Sequence, residues 1–300
     1  MRNGFRTGPW RWAPVLILAA WTSPTWIGAS VEPPAQVAVS PSRIELQIGT
    51  QPTTESLTLF NYSDQPVHIG VSVAHWDLDE RNNVRIIEPH EQSLDQWLVV
   101  NPLRFSVAPK SAQTVRFSIR PRVRPEPGEH RAMIYFDQIL PGESTANLRV
   151  KFRMGVAIYA HAGEIVRAGR LNSVQVVSGT NPVRAKFDIS SEGTSHVRLS
   201  GQYAIWPANL YPGFENTATI ESLGLPEAEV PAEVLVAGLL PAKPVLPGTR
   251  REVLLHTPSE LPPGSYVLDL NGEMPGEESV DLGIPFTVPH PARVSGPDPD

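Results

Sequence analysis

The residues best placed to do chemistry lie in one stretch, Asn147 to Tyr159 (NLRVKFRMGVAIY). Leu148, Val150, Phe152, Met154, Val156 and Ile158 fill every even position, and Arg149, Lys151 and Arg153 stand between the first four. A period of two puts the apolar row on one face of a strand and the cations on the other. At 41% apolar content, six successive hits have a chance of about 0.5% in any one window, so the pattern marks a strand. The apolar row can fill a core or a partner's groove. The basic row can hold carboxylates, shield a strand edge from unwanted pairing, or simply face solvent. Two readings of so long a strand stand open. It is either a central sandwich strand throughout, or core at one end and a binding edge at the other.

Other chemistries find less support. Asp77, Asp79, Glu80, Asn82 and Asn83 have the composition of a cation loop but lack its glycine and distal glutamate, which leaves a polar hairpin turn. The eight histidines include no pair at a zinc-binding helical spacing. With no cysteine, disulfides, thiolate metal sites and cysteine nucleophiles are excluded. There is no G-x-S-x-G elbow and no glycine-rich phosphate loop. Glu91 and Asp95 are paired carboxylates only in spacing, since nothing around them points to burial. No catalytic residue, metal ligand or cofactor is therefore expected, and the chain is read as not an enzyme. A net charge of −6 gives no reason to propose nucleic acid as a partner.

The elements that must position the long strand are themselves strands. Val67, Ile69, Val71 and Val73 alternate with polar or small residues, as do Val115, Phe117 and Ile119. Turn signals separate such runs at Asn61 to Asp64, Asp79 to Asn83, Ala108 to Ser111 and Leu140 to Glu143. The 32 prolines and 22 glycines fit frequent turns, and 300 residues leave room for two domains. Further strand-like runs fall between Ser173 and Val288, interrupted by an irregular stretch from Pro207 to Pro231 that reads as a long loop. At the N-terminus, Arg2, Arg6 and Arg11 precede a short apolar run, Ala13 to Trp21, and a stretch ending in small residues, Thr22 to Ser30. That order is a secretory signal peptide, with a retained anchor as the alternative. The fold class expected is all-β: two Ig-like β-sandwich domains in tandem, at 36–163 and 165–289, after a signal peptide at 1–30 and before a disordered tail at 290–300.

Three stretches of the first domain carry a family resemblance. They are the opening strand Val39-Ser40-Pro41-Ser42-Arg43-Ile44-Glu45-Leu46, the run from Asn101-Pro102-Leu103-Arg104 to Thr114-Val115-Arg116, and Glu129-His130-Arg131-Ala132-Met133-Ile134-Tyr135-Phe136. In order and spacing they resemble the N-terminal domain of PapD-like periplasmic pilus chaperones. The resemblance implies a periplasmic chaperone that binds pilin-like subunits, with an outer-membrane usher as a further partner. It implies that Leu148, Val150, Phe152 and Met154 are donated to the subunit's incomplete sandwich, while Val156 and Ile158 pack in the chaperone's own core. It also implies a cleft where two cations hold the subunit's terminal carboxylate. Arg43 matches the first. The second is a lysine near the end of the long strand, and the matching position here is Ala157, or Gly155 if the register slips by two. Lys151 and Arg153 have the right facing but lie four to six residues too early, so either the anchor is shifted to Arg43 with Lys151 or Arg153, or Arg43 serves alone, or the partner's terminus is held differently. The alternative function is a structural or adhesive exported protein that uses the same edge for self-association.

Overall fold

The computed structural model describes residues 36–140, 150–277 and 279–290. The expected signal peptide, Leu148, Arg149 and residues 291–300 of the expected tail lie outside the described residues. The described chain is two β-sandwiches in tandem. The first contains β1 (Val37–Ser40), β2 (Arg43–Ile48), β3 (Thr53–Asn61), β4 (Val67–Ala74), β5 (Trp76–Leu78), β6 (Val84–Ile86), β7 (Leu98–Asn101), β8 (Arg104–Val107), β9 (Ser111–Ile119), β10 (Gly128–Ile139) and β11 (Arg153–Ala162). Its two sheets run β1-β3-β9-β7 and β2-β11-β10-β4-β8, with β5 and β6 a separate hairpin. The second contains β12 (Gly169–Val176), β13 (Arg184–Ser191), β14 (Ser200–Pro207), β15 (Val236–Leu239), β16 (Arg250–His256), β17 (Gly264–Glu273) and β18 (Val280–Val288). Its sheets run β12-β13-β16 and β15-β14-β17-β18.

Alternation decides what each face meets. On β11 the even residues Val156, Ile158, Ala160 and Ala162 enter the first core. There they meet Ala132, Ile134 and Phe136 of β10 and Leu57, Leu59, Val115 and Phe117 of the facing sheet. The odd residues Ala157, Tyr159 and His161 face the second domain. Met133 and Tyr159 join Trp76, Leu78 and the second domain's Leu246 in a small buried cluster, with Ala157 and Tyr135 at its border. The second core gathers Phe187, Ile189, Tyr203, Ile205, Val253, Leu268 and Leu270 from its two sheets.

The opening strand changes sheets at Ser40-Pro41-Ser42. Proline cannot donate to a ladder, so the strand breaks there. β1 pairs antiparallel with β3, and β2 pairs parallel with β11 in the opposite sheet. Asn61 ends β3 at a buried corner. Its Nδ2 donates to the carbonyls of Gln65, Val107 and Ala108 at 2.8, 3.1 and 3.1 Å, and its Oδ1 accepts from the backbone and hydroxyl of Ser63. The 79–83 turn between β5 and β6 is a hairpin in which Asp79 accepts the backbone N–H groups of Arg81 and Asn83. Arg251 of the second domain donates to the carbonyls of Leu78 and Asp79, pinning this hairpin across the junction.

Much of the Pro207 to Pro231 stretch lies against the second domain's larger sheet. Gln202 exchanges hydrogen bonds with the backbone of Ile220, and Tyr211 donates to the buried Asp269 carboxylate at 2.7 Å. Gly283 makes the Tyr211 contact possible, because a Cβ there would lie 2.5 Å from the phenol oxygen.

Candidate binding edge and domain junction

β11 is shorter at its start than the alternation suggests and longer at its end. It begins at Arg153 and runs to Ala162, past the expected end at Tyr159. Its partner β10 ends at Ile139, and among the described residues the bond from the Gln138 N–H to the Phe152 carbonyl is the one that continues the pairing before Arg153. On its other side β2 covers Ala157 to Ala162 and no more. Residues Arg153 to Val156 therefore keep β10 on one edge, and among the described residues no strand pairs with the other.

The structure places the expected donated residues differently from one another. Val150 is 61% exposed. Phe152 and Met154 are half-buried and pack against the first core. Val156 and Ile158 are wholly buried in that core. Among the expected cations, Lys151 is exposed, and Arg153 makes a two-bond ion pair with Asp137 of β10 while lying over the Tyr135 ring. The Asp137 partner raises the Arg153 guanidinium above its ordinary value.

Arg43 sits elsewhere. The register of β2 on β11 sets Arg43 opposite Ala157 and Glu45 opposite Tyr159. Arg153 lies four residues further along, roughly 13 Å at strand rise, and Lys151 lies beyond it. What surrounds Arg43 comes from its own strand and from the second domain. Its Nε meets Glu45 Oε1 at 3.1 Å, Arg167 Nη2 meets Glu45 Oε2 at 3.3 Å, and His196 Nε2 lies 3.5 Å from Glu45 Oε1.

Deeper in the junction the buried Glu129 side chain gathers groups from both domains. Its Oε2 accepts from Ser195 Oγ at 2.9 Å, from the His196 backbone N–H at 2.9 Å and from His196 Nδ1, while His161 Nε2 stands 3.5 Å away. Its Oε1 accepts from Arg131 at 3.1 Å. Burial alone would push this carboxyl up. The His161 and His196 contacts outweigh it and hold the group well below the usual carboxylate range.

Glu129, His161 and Ser195 have the composition of a nucleophile triad but not its connectivity. A triad needs the hydroxyl on one ring nitrogen and the carboxylate on the other. Here Ser195 Oγ, at 3.1 Å, and Glu129 Oε2 both face His161 Nε2, and Ser195 is fully buried. The Glu129, His161 and His196 atoms also converge closely enough to hold a metal ion. The carboxylate oxygen is, however, already engaged by three hydrogen bonds, with a guanidinium on its neighbour. This is the arrangement of a satisfied ion-paired latch between domains.

Sequence reasoning missed Glu129, His161, Ser195, His196 and Arg198. The signal that could have found the first two lies on the odd face itself, which runs Lys151, Arg153, Gly155, Ala157, Tyr159, His161. It turns from basic to small and aromatic after Arg153, which marks the point where something covers it.

No family model matches the chain, and no curated protein matches it. Solved structures do, at low identity. A class 5 fimbriae chaperone, CfaA, is 13% identical with a TM-score of 0.41, over 84% of this chain and 99% of that one. A CsuC–CsuE chaperone–tip adhesion subunit pre-assembly complex from Csu pili of Acinetobacter baumannii gives 12%, 0.41, 83% and 98%. The Salmonella enterica SafA pilin in complex with the SafB chaperone gives 11%, 0.39, 86% and 99%. At scores of this size fold and function are separate matters, and the two-sandwich architecture is read from the strand order itself. What the chain is similar to, over more than four fifths of its length, is fimbrial chaperones.

Proposed function

We propose that this protein is a periplasmic chaperone that binds pilin-like subunits by adding its open edge to their incomplete sheets. The observation that carries the reading is the edge of β11 from Arg153 to Val156, paired on one side only among the described residues and preceded by the exposed Val150. An unpaired edge beside apolar side chains is a hazard unless it is guarded or used. Lys151 and Arg153 guard it against indiscriminate pairing, and a subunit lacking a strand supplies the use. Backbone bonds from the open edge give the pairing, with Leu148, Val150, Phe152 and Met154 offered to the subunit's groove. Since Phe152 and Met154 already touch the first core, Val150 is the residue of this set whose change tests binding apart from folding. Arg43 contacts the subunit's terminal carboxylate. The role needs no catalysis, and delivery to an outer-membrane usher would follow it. Among the described residues no helix is long and apolar enough to cross a membrane.

The test is co-purification from the periplasm of cells expressing candidate pilins, comparing the natural protein with Val150→Asp. A small partner recovered with the natural protein and lost from a variant of unchanged melting temperature supports strand addition. Recovery of the protein alone refutes it. Recovery only as its own oligomer transfers the edge to the self-associating structural role, which is favoured by one observation: Glu45 already occupies Arg43.

A further inference from the structure

We propose that the anion site at the domain junction is completed by Arg198 of the second domain, and that Glu45 is a built-in occupant which an incoming carboxylate displaces. This rests on the reading above, in which the partner ends in a carboxylate at Arg43.

The register makes the case. Arg43, Glu45, Ala157 and Tyr159 share the outer face of the β2–β11 pair, and the methyl of Ala157 stands where that pair would have to offer a second cation. The cation arrives from across the junction instead. Arg198 lies over the Tyr159 ring, with its Cζ 5.6 Å from the centroid. Its Nη2 donates to Tyr159 Oη at 3.0 Å and its Nη1 to the Ala242 carbonyl at 2.7 Å, while its Nε is buried without a partner. All these partners are neutral, so the charge of Arg198 is held in place without being matched at hydrogen-bond distance. Burial is the largest influence lowering this guanidinium below its ordinary value, and the neighbouring charge of Arg43 adds to it against the opposing effect of Tyr159. Arg43 and Arg167 share Glu45 as an ion-pair partner, and Arg198 stands on Tyr159, which the register sets opposite Glu45.

Such a site favours a further carboxylate because a guanidinium fork pairs it through two bonds. Glu45 competes for the same Arg43 fork. It offsets one of these positive charges when the site is empty and weakens every ligand by the free energy of its own displacement. Because Arg198 and Arg43 belong to different domains, the site exists only while the junction is closed.

The test uses the full mature chain and two synthetic strand peptides of one alternating apolar–polar sequence, one ending in a free carboxylate and one amidated. Binding is read by fluorescence anisotropy. The free acid should bind about tenfold or more tightly than the amide, the scale of one charged hydrogen bond. Arg198→Ala should abolish most of that preference, and Arg198→Lys should restore part of it. Glu45→Gln should tighten the free acid several-fold and leave the amide unchanged, a result that misfolding cannot mimic. An unchanged preference in Arg198→Ala, or weaker free-acid binding in Glu45→Gln, overturns the proposal. Peptide binding that ignores the end group also overturns it while leaving strand addition standing. No binding of either peptide overturns both.

Discussion

Replacing Glu129 by glutamine should loosen the joint between the domains and remove part of the protein's sensitivity to acid. The side chain is buried, and its carboxylate is bonded to Ser195, to His196 twice and to Arg131. Glutamine keeps the shape but brings an amide N–H₂ to a place where Arg131, the His196 backbone N–H and His196 Nδ1 all donate. Breaking a buried pair by removing one partner costs about 3–5 kcal/mol, because the groups left behind stay desolvated. For a protein of this size that is a fall in melting temperature on the order of 10 °C. The pH dependence gives a sharper reading. In the unfolded chain Glu129 protonates near its ordinary value of 4.5, and in the folded chain only well below it. Its contribution is therefore complete above that value and is lost as the pH falls beneath it, at up to about 1.4 kcal/mol per pH unit. Asp79 and Asp188 also have lowered values and add their own acid slope, so the informative quantity is parent minus variant. Denaturant unfolding at pH 7, 5, 4 and 3, followed separately in each domain by a tryptophan probe, measures it. The difference should be largest at pH 7 and shrink below pH 4.5. A cost under about 1 kcal/mol at pH 7, or a difference that does not change with pH, would refute the latch.

Two further outcomes are expected. Asn61→Ala should destabilise the first domain by about 2–4 kcal/mol, since three carbonyls lose their donor at a buried corner, and chemical denaturation of the isolated signal from that domain checks it. Tyr211→Phe should cost about 1–3 kcal/mol and raise hydrogen exchange over residues 207–231, because the buried Asp269 carboxylate loses the donor that ties the loop to the sheet.

The sandwich was legible because alternation is local. Val115, Phe117 and Ile119 state their own facing, and the even residues of β11 from Val156 onward went into the core as their parity required. Parity also separated the odd face of that strand, but it says only that the two faces differ. It does not say what covers the second one. The partner of that face begins some thirty residues later, and Glu129 meets Ser195 and His196 only because two folded domains lean together there. A contact made by docking leaves no spacing in the sequence. The start of β11 was misjudged for a related reason. Val150 and Phe152 keep the apolar alternation, but a strand needs a neighbour, and the ends of β10 and β2 decide where the ladder stops. The contact of Arg198 with Tyr159, which the register sets opposite Glu45, was likewise hidden, since residues 39 positions apart are unremarkable until the fold is known.

The sheet switch at Pro41 has a consequence for the order of assembly. β2, among the first strands of the described chain, is held by a parallel ladder to β11, more than a hundred residues later. That ladder closes the largest loop of the first sandwich, and loop closure at such separation is slow and late. Until it forms, β2 has no sheet and the β11 edge is free along its whole length. In such a state the surface proposed for binding a client would run over all ten residues of β11, against the four from Arg153 to Val156 that β2 leaves unpaired in the finished protein. Its own opening strand is then the nearest competitor for that surface, and it narrows the edge only as the domain completes.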